Sequence, residues 1–561
     1  MLAVAALYLW LAPAHVVDGD NAEFSTLGAL GGAALPPGYP LYVLWLRALA
    51  WLPGASPAHT AALATALLGA ISIAVMHAAC RAWGARPVAA TLACAIFAGA
   101  PLIMTMNTEA EVFALNNVIV AAVLWLAAER GPLRGVRRAF ALGLVAGLGL
   151  ANHQTCVLVA PIGILGVVRA VRESRWTAVP AATGALALGL APYAYLVVAP
   201  VHAGSWGGIH GASGLVSMFL RSEYGTFGTF VPSGVQGSLL TNLEALADTL
   251  GRTWWWLPAL AGIAAAVHRG LRRADGKEPR AGWWMWLASF ALAGPVLASR
   301  FNLAPEGLGR YVVDRFHIMP ALLLAIPVAD AIDRLAPIAA RALPRANAAL
   351  ANAIAICVFA AVAGTSLPHV LHVHSPAVEQ QARTVLRMLP PGAIVYGFDD
   401  DLGLGITYAQ VALGERPDVA YAHVPAFSLP WYRDRAAARG VPDGEGYIDR
   451  ALATGRPVFI QPFARDVVAA FPSYRIGILV RLLPHGSAVP SLDDVLAANL
   501  AWRDSLELGY DRPGPDDEWP TVVHRRYART WQVLATELAA AGRPHDAEQA
   551  AEIARDIGPR P

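Results

Sequence analysis

The chain has 561 residues, of which 56% are hydrophobic and 15% are charged, and its mean hydropathy is +0.46. Soluble domains carry roughly 25% charged residues, so this composition excludes an ordinary soluble protein and predicts an integral membrane protein. The formal net charge of +2 argues against a nucleic-acid partner, because binding to phosphates needs a concentrated basic surface. The four cysteines lie in apolar segments without metal-ligand spacing, and no metal site is predicted.

Apolar segments recur through the first two thirds of the chain and predict about eleven transmembrane helices. They are residues 1–14, 58–79, 87–104, 112–128, 138–151, 154–170, 177–198, 250–267, 282–299, 313–332 and 348–366. The first is shorter than the roughly 20 residues that cross a bilayer, so we expect it to be the end of a helix that begins upstream. Segment 40–53 is apolar but carries Arg47 in its middle, which indicates a helix along the interface.

Arginine and lysine are concentrated on alternate connections between these segments. Those connections carry 17 basic residues, whereas the opposite side carries six, namely Arg47, Arg221, Arg252, Arg300, Arg310 and Arg315. The positive-inside rule then places the N-terminus in the cytoplasm. Residues 18–23, the loops near 104–111, 199–249 and 300–312, and everything after 366 are predicted to be extracytoplasmic.

From Pro368 onward the composition becomes that of a soluble domain. Helical patterns at 376–389 and 402–413 alternate with strand-like runs at 393–398, 418–423, 457–460 and 475–480, which predicts a small α/β domain. Two amphipathic helices within 520–556 resemble a single tetratricopeptide unit. We therefore predict a transmembrane domain at 1–366, an extracytoplasmic α/β domain at 367–515 and a helical hairpin at 516–561.

Polar residues collect on the predicted outer side, and we expect the chemistry there. Asp18, Asp20 and Glu23 follow the first apolar segment, and Asp20 and Glu23 share a face if the stretch is helical. Carboxylates at a bilayer surface usually mark function, although acidic residues that cap the next helix are the simpler alternative. Glu109 and Glu111 either face Asp20 across a cavity or only favour a helix N-terminus.

The remaining candidates lie in outer turns, loops and helix ends. They are Asn152, His153, Arg221, Tyr224, Arg310, Asp314 and Arg315. A lone histidine at a turn, such as His153, is more often hydrogen-bonded locally than a ligand. An outer arginine either holds a phosphate through parallel hydrogen bonds or only meets lipid headgroups, and we favour the phosphate. A carboxylate base beside arginines suits transfer of a sugar from a lipid phosphate to a hydroxyl.

Several motifs resemble the membrane family known as domain of unknown function 2723. Its signature is similar to Gly19-Asp-Asn-Ala-Glu-Phe24 followed by Pro36-Pro-Gly-Tyr-Pro-Leu-Tyr42, which includes Tyr39. The resemblance continues through Glu111–Asn116, Gly149–His153, Arg221–Gly225, Asp314–Phe316, Gly414–Val419 and Pro430–Tyr432. It covers most of residues 15–435. One departure is Leu35, which stands where the family usually has histidine.

Eukaryotic members of that family are protein O-mannosyltransferases, and the family is placed among the GT-C glycosyltransferases. The resemblance implies an α-helical polytopic membrane protein of GT-C type, expected in a bacterial inner membrane. It implies inverting transfer of a sugar, mannose by analogy, from a polyprenyl-phosphate donor to a protein or glycan hydroxyl. Asp20 would be the general base with Glu23 beside it, and the other candidates would bind substrate. No cofactor is implied, and many such enzymes need no metal.

Two other functions could use the same residues. A carrier or flippase for polyprenyl lipids or glycolipids would bind its cargo with these polar groups, but transporters usually show inverted repeats and polar groups near the bilayer midplane. The sequence shows no convincing repeat, and its charged candidates lie at segment ends. An assembly protein anchored by its membrane part is a weaker alternative, because an anchor does not require eleven helices.

Overall fold

A computed structural model describes residues 1–224, 237–272, 278–301, 303–342, 348–516 and 518–561. The side chains of Tyr224, of residues 336–342, 348 and 349, and of residue 351 also lie outside the described part. The structure also leaves out Gly225, the last residue of the motif Arg221–Gly225. It leaves out three of the 17 basic residues that were used to predict the orientation: Arg273, Lys277 and Arg345.

Among the described residues up to Val373, the regular elements are all helical. Their helices are α1 (Leu2–Leu11), α2 (Gly19–Leu30), α3 (Pro40–Ala48), α4 (Pro57–Ala82), α5 (Pro87–Gly99), α6 (Pro101–Met106), α7 (Phe113–Ala127), α8 (Gly135–Leu150), α9 (Ala160–Ser174), α10 (Ala178–Gly189), α11 (Tyr195–Val198), α12 (Gly211–Phe219), α13 (Leu239–Trp254), α14 (Trp256–Leu271), α15 (Arg280–Ala291), α16 (Leu308–Ala342) and α17 (Ala348–Val373). Short 3-10 turns lie at Gln154–Val159, Arg175–Thr177, Ala191–Ala194 and Ser222–Tyr224, and a π-helical segment follows α15 at Leu292–Val296.

Four helical stretches in the described residues are long and apolar enough to cross a membrane, judged by length and composition alone. They are Pro57–Ala82, Gln154–Val198, Leu308–Leu335 and Asn352–Met388. Leu2–Leu11, Pro87–Gly99 and Phe113–Ala127 are shorter apolar helices. Each of the predicted apolar segments contains helix, and α3 lies where the interfacial helix was expected. The number of spans and their orientation remain predictions.

The predicted helices at 250–267 and 87–104 are each interrupted, and predicting each of them as a single helix was wrong. The segment 250–267 is divided at Trp255, whose φ of 53° lies in the left-handed region and ends α13 before α14 begins. The segment 87–104 is divided at Ala100, which is extended because proline follows it at position 101. An average of hydropathy over a long window does not show a break at one residue.

Helix α16 connects two polar clusters on opposite ends of the helical part. Asp330 and Asp333 accept hydrogen bonds from arginines on neighbouring elements, with Arg269 Nη2 2.7 Å from Asp330 and Arg86 Nε 3.0 Å from Asp333. Arg315 lies about 22 Å earlier along the same helix, at 1.5 Å per residue. These ion pairs use arginines that the sequence assigns to the cytoplasmic side, so Arg315 belongs to the other end.

The C-terminal part contains α18 (Ala377–Met388), β1 (Ile394–Gly397), α19 (Asp400–Val411), β2 (Ala420–His423), α20 (Pro430–Ala438), α21 (Tyr447–Ala453), β3 (Val458–Ile460), α22 (Arg465–Ala470), β4 (Ser473–Ile476), β5 (Leu479–Leu482), α23 (Leu492–Asp504), α24 (Glu518–Ala540) and α25 (Pro544–Ile557), with a 3-10 turn at Val424–Ser428. The sheet order is β2-β1-β3-β5-β4. β1 pairs in parallel with β2 and β3, whereas β5 pairs antiparallel with β3 and β4.

The alternation of helices and strands expected for the tail is present, with two corrections. The run 475–480 is not one strand but the turn of the β4–β5 hairpin, at Gly477, whose φ is 55°. The boundary predicted after residue 366 falls inside α17, which continues to Val373. The hairpin of α24 and α25 forms where it was predicted.

The C-terminal part packs directly on the end of the helical part that carries Arg315. Helix α19 contacts α2, and α24 contacts α16 and α17. The backbone N–H of Val16 donates to Glu379 Oε2 at 2.9 Å, and the N–H of Ala58 donates to the hydroxyl of Tyr408 at 3.3 Å. These contacts place the tail over the stretch that contains Asp20.

Candidate functional site

Helix α2 begins immediately after Asp18 and carries the two predicted catalytic carboxyl groups. Asp18 is its N-cap and accepts a hydrogen bond from the N–H of Asn21 at 2.6 Å, so one of the acidic residues does have the capping role. Asp20 and Glu23 lie one turn apart, and both line a cavity between α2 and the C-terminal part. The prediction that these two residues share a helix face is therefore confirmed.

Arg315 of α16 joins two of the predicted acidic residues. Its Nη1 lies 2.8 Å from Asp20 Oδ2 and 3.1 Å from Glu111 Oε1. The guanidinium lies over the ring of Tyr311, 4.9 Å from its centroid, which adds a cation–π contact. The side chain of Asp20 is 37% exposed, whereas those of Arg315 and Glu111 are 13% and 2% exposed. Asp20 is thus the member of this group that reaches the cavity.

The other acidic residues around Arg315 are buried. Tyr311 donates a hydrogen bond to Asp18 Oδ2, and burial, followed by the charge of Asp20, raises the pKa of Asp18 to about 6. Burial raises the pKa values of Glu109 and Glu111 well above their usual range. Glu111 is joined to Asp20 through Arg315, but it is buried and is not among the residues that line the cavity, so it does not face Asp20 across that cavity as one of the two sequence interpretations expected.

Glu109 points away from Asp20 toward the start of the tail. Its Oε1 lies 3.3 Å from Nε2 of His374, which directly follows α17. Its Oε2 has no hydrogen-bond partner in the described residues. Glu109 therefore belongs to the junction between the two parts of the protein, and its predicted contact with substrate stays a prediction.

Glu23 is a buried carboxyl group behind Asp20. Its Oε1 accepts a hydrogen bond from the N–H of Leu35 at 2.9 Å, and its Oε2 has no hydrogen-bond partner among the described residues. Burial, followed by the negative charge of Asp20, raises the pKa of Glu23 to about 8. At neutral pH Glu23 is therefore largely protonated, which suits a positioning role better than a charged one.

Replacing Glu23 with glutamine should remove a pH dependence from stability. The folded protein holds a proton on Glu23 up to about pH 8, whereas the unfolded chain releases it near pH 4.5, so the wild-type free energy of unfolding falls as the pH rises between these values. A neutral amide cannot lose this contribution. We expect Glu23→Gln to gain stability relative to wild type from pH 5 to 8, with no further gain at higher pH.

Thermal unfolding in detergent across that pH range measures the difference between the two proteins. Other buried acids titrate in both, so only the difference between Glu23→Gln and wild type is informative. Glu244→Gln, at an exposed position of α13, is the matched control and should show no pH-dependent difference. If the unfolding temperatures of wild type and Glu23→Gln change in parallel with pH, Glu23 is charged in the folded protein.

The cavity has a volume of about 410 Å³, and both parts of the protein form its walls. Asp20, Glu23 and the loop at 203–206 line one wall, and residues of α19, α20 and the end of β2 line the other. Asp400 lies opposite the α2 carboxyl groups, and Nε2 of His423 is 3.2 Å from its Oδ1. The sequence therefore supplies acidic groups to this cavity from two distant regions.

Aromatic rings close the cavity on the side of the 203–206 loop. The rings of Trp206 and Trp431 meet edge to face with their centroids 5.1 Å apart, and the guanidinium of Arg435 lies 4.9 Å from the centroid of Trp431. Arg435 also donates to the carbonyl of Ser205 at 2.8 Å. Rigid aromatic surfaces beside polar groups are typical of sites that bind small polar molecules.

A second group of predicted residues lies beside Arg315 but does not line this cavity. Tyr39 stacks on His153 with ring centroids 5.9 Å apart. Nδ1 of His153 forms a hydrogen bond with the hydroxyl of Thr155 at 2.7 Å, which is the local hydrogen bond that was expected for a histidine at a turn. Burial, followed by the charges of Arg221 and Arg315, lowers the pKa of His153 to about 3. Both arginines therefore lie near this neutral ring.

Asn152 and Tyr224 are the remaining predicted residues of the outer turns and loops. Asn152 is fully buried and donates from Nδ2 to the carbonyl of Val112 at 3.2 Å, so it fastens the turn after α8 to the start of α7. Tyr224 ends a 3-10 turn, and its side chain is not described. Their predicted contacts with substrate stay predictions.

Arg310 and Asp314 are not at the cavity but bind each other and α13. Arg310 Nε lies 2.7 Å from Asp314 Oδ1, and its Nη2 lies 2.7 Å from Asp248 Oδ2. Thr249 donates to Asp314 at 2.8 Å. Arg310 was expected to hold a substrate phosphate because it lies at an outer helix end, but two carboxylates from different helices bind it.

Sequence reasoning missed five residues of the site: Tyr311, Asp400, His423, Trp206 and Trp431. Tyr311 is one helical turn before Arg315, so the motif at 314–316 could have suggested it. Asp400 belongs to the acidic run 399–401, which nothing nearby in the sequence connects with Asp20. In the described residues, no group of three or more His, Cys, Asp or Glu side chains could hold a metal ion.

Similar proteins were found by sequence and by structure. Residues 20–177 match the model of the protein O-mannosyl-transferase TMEM260 N-terminal domain. The protein O-mannosyl-transferase TMEM260 of Mus musculus is 26% identical over 450 residues, which are 77% of this chain and 63% of the mouse protein. The corresponding protein of Dictyostelium discoideum is 25% identical over 342 residues, or 55% of this chain and 41% of that protein. This chain resembles the TMEM260 protein O-mannosyl-transferases.

That finding confirms the resemblance to O-mannosyltransferases seen in the motifs. Together with the apolar helices, it identifies an integral membrane protein. The chain spans less than two thirds of the length of either relative. Crystal structures of ArnT from Cupriavidus metallidurans, bound to undecaprenyl phosphate and in the apo state, cover 87% of this chain and 98% of theirs at 15% identity, with TM-scores of 0.49 and 0.48.

Proposed function

We propose that this protein is a GT-C-type membrane glycosyltransferase that moves a sugar from a polyprenyl-phosphate donor to a hydroxyl group of a protein or glycan. The sugar is mannose by analogy with the O-mannosyl-transferases that the chain resembles. One observation carries the proposal. Asp20, which lies in the segment that matches those relatives, is the partly exposed carboxyl group at a cavity and is held by a buried arginine.

Asp20 has the geometry of a general base. Its Oδ2 is fixed by Arg315, while its Oδ1 makes no hydrogen bond within the described part of the chain. In the proposed reaction the acceptor oxygen attacks the anomeric carbon of the sugar as its proton passes to Oδ1 of Asp20. The bond between the anomeric carbon and the phosphate oxygen breaks, and its electron pair stays on the phosphate. A single displacement of this kind inverts the anomeric centre.

The donor phosphate needs positive charge while the sugar departs. Arg221 is the proposed group, because its charge acts on both Tyr39 and His153, beside Arg315. The neutral His153 adds no competing charge there. Arg315 is largely committed to Asp20 and Glu111, so its proposed role is to orient the base and not to bind the phosphate.

The tail is proposed to form the acceptor side of the site. Its residues supply the wall opposite Asp20, including Asp400 and the ring of Trp431. The cavity's volume of about 410 Å³ lies within the range of pockets that bind small molecules.

A transfer assay tests the function directly. Membranes that contain the full chain would receive polyprenyl-phosphate-mannose radiolabelled in the sugar, and label on protein or glycan would be measured over time. We expect label to move from the lipid to a water-soluble or protein fraction, with membranes that lack the chain as the control. Movement of label only between the two membrane leaflets, with none on any acceptor, would indicate a lipid carrier instead. If another lipid-linked sugar is transferred but mannose is not, the protein is a glycosyltransferase as proposed. The choice of mannose by analogy with its relatives is then wrong.

A further inference from the structure

A second, larger cavity lies between the sheet and the helical hairpin, and none of the residues discussed for transfer lines it. Its volume is about 900 Å³. Six arginines line it, namely Arg475, Arg512, Arg525, Arg526, Arg529 and Arg555, whereas Asp399 is the acidic residue among its described lining. We refer to it as the arginine cavity.

Two of these arginines already have structural partners. Arg526 joins the hairpin to the start of α19 through Asp401 at 2.5 Å and Asp399 at 2.9 Å. Arg512 donates to the carbonyl oxygens of Arg555 and Gly558 at the end of α25. These contacts hold the walls of the cavity together. They do not explain why four further arginines line it.

The remaining four arginines have no acid bound to them in the described residues. Arg525 donates to the carbonyl of Pro515 at 2.9 Å, and Arg475, Arg529 and Arg555 make no side-chain hydrogen bond or ion pair there. Burial lowers the pKa of Arg475, against the attraction of Glu537. Positive charge is therefore concentrated in this cavity in excess of the acids around it.

Their arrangement costs stability when the cavity is empty. Arg525 and Arg529 are four residues apart on α24, where two like charges repel each other across one turn of helix. The charge of Arg529 also acts on Arg475 of β4, so the sheet and the hairpin present arginines to the same space. An ion pair with a carboxylate of the chain would remove this repulsion, and the lining offers none beyond Asp399, which Arg526 holds.

Arginine forks bind phosphate oxygens through two parallel hydrogen bonds, and several forks around one space favour a multiply charged ligand. A volume of about 900 Å³ is far more than one phosphate fills. Phe463, whose side chain is 57% exposed, and Ile478 offer apolar surface in the same cavity for an uncharged portion. We propose that the arginine cavity binds a ligand that carries a phosphate group on a larger neutral body, such as a sugar phosphate or a phosphorylated glycan.

The test uses the full chain in detergent, with inorganic pyrophosphate and glucose 6-phosphate as probes and glucose as the uncharged comparison. Binding would be measured by calorimetry and by the rise in unfolding temperature that a bound ligand causes. We expect both phosphates to bind and glucose not to bind. Arg529→Met should weaken the binding of pyrophosphate about tenfold or more, and the double variant with Arg475→Met should weaken it further.

The variants carry their own control for folding. Arg529 has no side-chain partner among the described residues, so Arg529→Met without ligand should unfold at the wild-type temperature or slightly above it. Arg503→Met is the matched control for binding, because Arg503 forms an ion pair with Asp504 outside the cavity. This variant should bind pyrophosphate as tightly as wild type does.

Vesicles with and without phosphatidylglycerol distinguish the two sources of a phosphate. Suppose that the chain binds the anionic vesicles through Arg529 but binds neither pyrophosphate nor glucose 6-phosphate. The phosphate that the cavity recognises then belongs to a lipid headgroup, and the proposal of a soluble sugar phosphate or phosphorylated glycan is wrong. Absence of binding to every probe at about 1 mM, or equal binding by wild type and the double variant, would overturn the site altogether. None of these readouts depends on sugar transfer, so they stand or fall separately from the proposed enzyme activity.

Discussion

Asp20→Asn is expected to lower the rate of sugar transfer about 10²–10⁴-fold, the usual contribution of a positioned general base. Asparagine has nearly the same shape and can still accept the hydrogen bond from Arg315 through its carbonyl oxygen. It cannot take a proton from an acceptor hydroxyl. The loss should therefore appear in kcat at saturating donor, with little change in the amount of folded protein. Initial rates with radiolabelled polyprenyl-phosphate-mannose measure it.

The control for this substitution is Glu306→Gln, at an exposed position before α16. It removes one negative charge from the same predicted outer side but does not touch the cavity, and it should leave the rate unchanged. A fully active, folded Asp20→Asn would contradict the assignment of the base. Activity lost together with folding would instead be compared with Asp20→Glu, which keeps the proton acceptor and should retain part of the rate.

The neighbouring carboxyl groups are less suited to this role for physical reasons. Asp18 is buried, caps α2 and accepts a hydrogen bond from a tyrosine. Glu23 is largely protonated at neutral pH, because its pKa is about 8. Glu109 and Glu111 are buried, and their pKa values are raised by that burial.

The sequence predicted the helical elements well because long apolar segments leave few alternatives to helix. It failed where one residue decides the path of the chain. Trp255 turns the backbone between α13 and α14, and Gly477 turns it between β4 and β5. Both sit inside apolar stretches, so neither polarity nor periodicity changes at the break.

The candidate site was predictable only as far as its residues are close in sequence or in a motif. Asp20 and Glu23 come from one stretch, and their shared helix face follows from a spacing of three residues. The partners of Asp20 do not follow in this way. Arg315 is 295 residues away, and Asp400 belongs to a different part of the protein. The ion pair of Arg310 with Asp314 follows from their spacing of four residues on α16, whereas its ion pair with Asp248 of α13 does not follow from the sequence.

Arg315→Met is expected to cost about 3–5 kcal/mol of the free energy of unfolding, the range for removing one partner of a buried ion pair. Methionine fills much of the same space but leaves Glu111 buried without its cation. Asp20 loses the same cation and the contact that orients it. The cost should grow as the pH rises, because the charge of Arg315 lowers the pKa of Glu111, so that Glu111 of the folded variant holds its proton to higher pH than in wild type. Denaturant unfolding in mixed micelles at pH 6 and pH 8 measures both effects.

A double-mutant cycle with Glu111→Gln separates the ion pair from simple loss of packing. If the charge of Glu111 causes the cost, Arg315→Met should be less harmful in the Glu111→Gln background, by at least 1 kcal/mol, which is about the coupling expected for contacting charges. Arg334→Met on the same helix is the comparison. Asp330 keeps Arg269 at 2.7 Å, so that change should cost no more than about 1 kcal/mol. Additive effects of the Arg315 and Glu111 substitutions would show that Arg315 stabilises the protein through its contacts with Tyr311, and that its charge serves Asp20 alone.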